Sequence, residues 1–121
     1  MPSTVREAVD TYICAVSERD PVARAKLIEA CFAEDGRMVA RSREVRGRAA
    51  LDEEIARLLA DPQFVRVRIL SEIDAQGTTF RFRSAVDRRD GQSHEFFDAG
   101  QVDANGRISL ILVFSGPLAD S

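Results

Sequence analysis

FRFRSAVDRRDGQSHEFFDAGQV, residues 80–102, reads as two strands joined by a tight turn. Phe80, Phe82, Ser84 and Val86 alternate with Arg81, Arg83 and Asp87, the period of two that a strand with one covered face produces. Asp90-Gly91 is a hairpin signal, because aspartate and glycine tolerate the backbone of a two-residue turn, and Glu95 through Val102 follows as the returning strand. Upstream, Phe64 to Ile73 sets Val65, Val67 and Ile69 against Arg66 and Arg68, and Gln76-Gly77 makes a turn. Downstream, Asn105-Gly106 is a second hairpin signal leading to Ile108 through Ser115.

Before Pro62 the period is helical instead. Val5, Ala8, Val9, Tyr12, Ala15 and Val16 predict an amphipathic helix from about Ser3 to Glu18. Asp20-Pro21 reads as an N-cap with proline in the first turn, opening a helix that buries Ala23, Leu27, Ile28, Cys31 and Phe32 and stops near Asp35-Gly36. Arg37 to Ser42 carries a short strand. Gly47 opens a third helix with Leu51, Ile55, Leu58 and Leu59 on one side, closed by Asp61-Pro62. Three helices before Pro62 and at least four strands after it predict a single α+β domain over residues 1–121, the helices covering one face of an antiparallel sheet.

The 121 residues, 45% hydrophobic and 31% charged, suit one core with a solvated surface. A net charge of -3, with seventeen basic residues spread along the chain, argues against nucleic acid as a partner. No apolar run approaches the ~20 residues of a membrane span, and Met1 to Arg6 is too polar for a secretory signal, so the expected location is the cytoplasm. Cys14 and Cys31 are expected as buried, reduced thiols. With them and the single histidine, His94, no metal-ligand spacing exists, and neither a metal nor a cofactor is expected. Nucleophile-elbow, phosphate-loop and dinucleotide signatures are missing from the sequence.

The first helix with its tyrosine, Cys31-Phe32-Ala33-Glu34-Asp35-Gly36 and Val45-Arg46-Gly47-Arg48-Ala49-Ala50-Leu51 resemble the N-terminal half of SnoaL-like proteins. Asp98, then Val102-Asp103-Ala104-Asn105-Gly106-Arg107-Ile108 and Phe114, are similar to that family's C-terminal half. The resemblance extends over nearly the whole chain. It implies the cone-shaped nuclear transport factor 2-like fold, in which a strongly curved, mainly antiparallel sheet wraps three N-terminal helices around a conical cavity. Polyketide cyclases and ketosteroid isomerases share this fold with dehydratases, epoxide hydrolases and non-catalytic proteins, so it does not settle activity. It also implies homodimers through the outer face of the sheet. Outward alternation adds Phe97, Ile111 and Val113 to that face, beside Arg81 and Arg83.

Asp98 shares its strand face with Phe96, Gly100 and Val102, an apolar face on which a carboxyl loses hydration and its pKa rises. Such a group can act as acid or base near neutrality. The alternative is a partly exposed strand aspartate that supports a turn. Tyr12 falls, by the resemblance, at the position of the isomerases' oxyanion-hole tyrosine and would polarise a carbonyl; otherwise it is a core aromatic. The isomerases carry a proton-shuttling aspartate eight residues beyond the phenylalanine ending the second helix. Counting from Phe32 gives Ala40, and alanine moves no protons; Arg41 and Glu44 lie nearby.

Parity assigns Phe82, Ser84, Val86 and Phe96 to the cavity wall, with Ser84 offering a hydrogen bond. The same count assigns Leu110, Leu112 and Phe114 inward. Arg66, Arg68, Arg81 and Arg83 are expected to face outward, and His94 to be exposed. Two functions fit: cofactor-independent acid–base catalysis of isomerase, cyclase or dehydratase type on a small, apolar, carbonyl-containing molecule, or a non-catalytic ligand-binding or dimerisation domain.

Overall fold

The computed structural model describes residues 4–116; Ser3, the expected first residue of the first helix, lies outside them. Helix α1 spans Val5–Val16, capped by the Thr4 hydroxyl, which accepts from the Glu7 amide. Helix α2 spans Pro21–Cys31, where the Asp20 carboxylate accepts from the Ala23 amide and proline occupies the first turn. Helix α3 spans Arg48–Ala60 behind Gly47, whose φ of 89° suits glycine, and ends at Asp61 before the proline.

The second helix stops earlier than its sequence suggests. Phe32–Ala40 is strand β1, and Gly36 lies within it rather than ending a helix. Gly36 is required there by close approach: a Cβ would meet the Phe32 ring at 2.7 Å and the Ile108 carbonyl oxygen at 2.9 Å. Strand β2, Arg43–Arg46, folds back on β1 and has no clear sequence signal. Beyond α3 come β3 (Phe64–Ile69), the short β4 (Asp74–Gln76), β5 (Thr79–Arg88), β6 (Ser93–Val102) and β7 (Ile108–Ser115). The turns at Gln76-Gly77, Asp90-Gly91 and Asn105-Gly106 each place glycine at positive φ, as their sequences predict.

All seven strands belong to one sheet of order β2-β1-β7-β6-β5-β3, with β4 paired to β5. The pairing is antiparallel throughout except between β1 and β7, which run parallel. Three register shifts, at Phe32/Arg37, Phe64/Arg66 and Gln101/Val102, insert the bulges that bend a sheet into a cone. The helices fill the concave side, where Val9, Ala15, Ile28, Phe32, Leu51 and Ile111 are almost fully buried. Arg24 on α2 is buried too, donating to Asp52 on α3 at 2.5 Å and to the Glu18 carbonyl at 2.9 Å, so its charge is paired.

Two bulges overturn expected side-chain directions. In β3, Phe64 is buried while Val65 is 47% exposed, so Val65 does not share the face of Val67 and Ile69. In β7 the consequence is larger. Val102 pairs with Ile108 but Gly100 pairs with Ile111, so β7 has one extra residue and its alternation reverses. Ile111 and Val113 face the helices, whereas Leu110, Leu112 and Phe114 face away, the reverse of their sequence assignment. Cys31 is buried as a free thiol, whereas Cys14, expected to be buried, lies on the exposed side of α1.

Candidate functional site

A cavity of about 230 Å3 lies between the helices and the concave face. Helix α1 contributes Tyr12, Ile13 and Val16; α3 contributes Leu51, Glu54, Ile55 and Leu58. The sheet supplies Met38, Val67, Ser84, Val86, Phe96, Asp98 and Val113. Its volume is slightly below the roughly 300–1,000 Å3 of typical ligand pockets, which suits a compact molecule. Apolar walls with a few oxygen-bearing side chains are the usual composition of such a site.

Asp98 reaches this wall because it pairs with Phe82 on one side and Val113 on the other, in the middle of the sheet. Only 5% of its surface is exposed, and its Oδ1 is buried with no hydrogen-bond partner. Burial pushes its pKa up to about 7, because desolvation disfavours the charged form and no donor compensates. Near neutrality the group therefore populates both protonation states, as an acid–base catalyst requires. An orphaned polar atom in a core is costly and rare, and here it belongs to a carboxyl that lines the cavity.

Tyr12 lies on the buried stripe of α1 and lines the same cavity. Burial first, and then the neighbouring Asp98 and Cys31, push its phenol well above the ordinary value. It therefore stays a neutral hydroxyl, able to donate to a carbonyl oxygen. Ser84 is buried at 5% exposure on the same face. The cavity thus brings together Tyr12, Ser84, Val86, Phe96 and Asp98. Phe82 is buried on the concave face but does not line the cavity, its ring lying 6.1 Å from that of Phe80 in a stacked pair.

Leu110 and Leu112 instead border a separate depression with Arg81, Ala99 and Gln101, and Phe114 is 55% exposed. Ala40 is half-buried outside the main cavity, and Arg41 and Glu44 are exposed, with Glu44 accepting from Arg37 at 2.7 Å. The outward arginines find acids: Arg81 meets Asp74, Arg83 meets Glu95, and Arg66 and Arg68 share Asp87. Hydrogen bonds from Arg68 first, then from Arg66 and Ser93, hold the Asp87 carboxyl far below the usual range. His94 is exposed. Among the described residues, no group of three or more His, Cys, Asp or Glu could hold a metal ion, and no helix is long and apolar enough to cross a membrane.

Sequence reasoning missed Glu54. Its signal was present, since Glu54 lies three residues after Leu51 and four before Leu58, on the buried side of α3. Met38 and Val113 were missed because their direction depends on bulges.

No protein-family model matches the sequence, and no curated protein matches it. Solved structures do resemble the fold. A candidate isomerase of the SnoaL-like family from Agrobacterium tumefaciens superposes with a TM-score of 0.82 at 24% identity, over 92% of this chain and 96% of that chain. A candidate polyketide cyclase from Sinorhizobium meliloti gives a TM-score of 0.72 at 20% identity, over 88% and 93%. A nuclear transport factor 2-like protein of unknown function from Exiguobacterium gives 0.70 at 18% identity, over 92% and 99%. With three helices held in a curved seven-stranded sheet, the chain has the cone-shaped α+β fold of the SnoaL-like and nuclear transport factor 2-like superfamily.

Proposed function

We propose that this domain binds a small, largely apolar, carbonyl-containing molecule and performs cofactor-independent acid–base chemistry on it. Asp98 is the acid or base, and Tyr12 the donor that polarises the carbonyl oxygen. The observation that carries this reading is Asp98, a carboxyl on the wall of an apolar cavity whose Oδ1 is buried without a partner. The names of the Agrobacterium and Sinorhizobium proteins, isomerase and polyketide cyclase, support the same reaction class. The deciding experiment compares wild type with Asp98→Asn in a proton-exchange assay on small ketones, followed by deuterium incorporation next to the carbonyl. Loss of exchange in a variant that melts normally supports the reading; equal exchange rates in both proteins reject it.

A second reading is a non-catalytic ligand-binding or accessory domain, favoured by Ala40, which puts no carboxylate where the isomerases shuttle protons. Ligand binding without exchange in either protein would select it. A homodimer through the convex face is part of both readings. Phe97 and Phe114 support it, being register partners that are 40% and 55% exposed.

A further inference from the structure

Two carboxylates line the main cavity, Asp98 from the sheet and Glu54 from α3. The Nη1 atoms of Arg43 on β2 and Arg57 on α3 each donate to Glu54 at 2.8 Å, and both land on Oε2. Among the described residues no donor reaches Oε1. The arginine side chains are 46% and 58% exposed and that of Glu54 only 25%, so the carboxylate is the more buried partner of both pairs, on a residue that lines the cavity. Gripped from two separate elements, the acceptor is held in place before a ligand arrives. We propose that Glu54 is a specificity-determining residue whose Oε1 accepts a hydrogen bond from a hydroxyl group of the ligand. The carbonyl of the same ligand meets Asp98 and Tyr12, which makes the ligand class a compact hydroxy-carbonyl compound.

This inference rests on the carbonyl-binding reading of the cavity given above. A hydroxyl fits better than an ammonium, because two guanidinium groups flank Glu54 and repel a cation. Compactness follows from the volume of about 230 Å3, which has room for a single substituted ring.

The test uses para- and meta-hydroxyacetophenone and their O-methyl ethers, titrated calorimetrically into wild type, Glu54→Ala, Glu54→Gln and Asp98→Asn. The wild type is expected to prefer a hydroxy probe over its ether by about tenfold, since an unpaired acceptor discriminates against a ligand lacking the donor. Glu54→Ala should bring that preference near unity while changing ether affinity less than about threefold. Glu54→Gln, similar in shape and still an acceptor, should retain part of the preference and guards against misfolding of the alanine variant. A preference unchanged in both Glu54 variants overturns the proposal. If Asp98→Asn then still weakens every probe, the carbonyl-binding reading survives alone. Failure of wild type to bind any probe overturns both the ligand class and that reading.

Discussion

Gly100 on β6 lies against the Leu110 carbonyl of β7 so closely that a Cβ at Gly100 would overlap the oxygen and stand 2.7 Å from the Phe80 ring. This contact sits beside the bulge that reverses β7, between the Gly100–Ile111 and Val102–Ile108 pairs. Neither obstacle is a flexible side-chain end, since one is backbone and the other a buried ring. Gly100→Ala should therefore destabilise the fold by about 1–3 kcal/mol, the usual cost of overpacking. Urea denaturation measures it, and a midpoint equal to wild type would show that the strands can part there freely.

Asp98 should make stability depend on pH in an unusual direction. Its folded-state pKa of about 7 lies above the ~3.9 of an unfolded aspartate. Between those values the folded chain holds a proton that the unfolded chain has lost, so its contribution is full below about pH 4 and is lost as pH rises through 7. Asp98→Asn removes this titration. Its stability relative to wild type should improve by a few kcal/mol from pH 4 to pH 8. Parallel pH profiles for the two proteins would show that Asp98 is solvated or paired in solution.

Tyr12→Phe removes one oxygen and leaves the buried ring in place. Binding of a ketone probe should weaken by about tenfold, as expected for losing one buried hydrogen bond. The melting temperature should change little, because the ring keeps its packing against the core. Unchanged affinity measured by calorimetry would reduce Tyr12 to a packing residue.

The convex face should hold two copies together. Phe97 and Phe114 form its exposed apolar centre, flanked by Arg83, which donates to Glu95 at 2.9 Å. Light scattering should give a dimer for wild type and a monomer for the double variant Phe97→Glu/Phe114→Glu, since four buried acidic groups would have no partners. A wild-type monomer would reject the dimer, and a dimer untouched by both substitutions would place the contact elsewhere.

Local chemistry determined much of this protein. Thr4, Asp20 and Gly47 begin helices because side-chain caps and glycine backbone freedom act over a few residues. Asp90-Gly91 and Asn105-Gly106 make turns for the same local reason, and the alternation around Phe82 and Asp98 chose the wall on which Asp98 sits. Tertiary pairing decided what lay beyond that range. Phe32 left its helix to run parallel to β7, and one extra residue near Leu110 turned Ile111 and Val113 inward and Leu112 and Phe114 outward. A bulge depends on which strand lies alongside and how tightly it approaches, here at Gly100 and Gly36, and alternation within one strand carries no record of that partner. Glu54 followed the same rule: its helical position was legible, but its place on the cavity wall came only with the arrangement of α3 against the sheet.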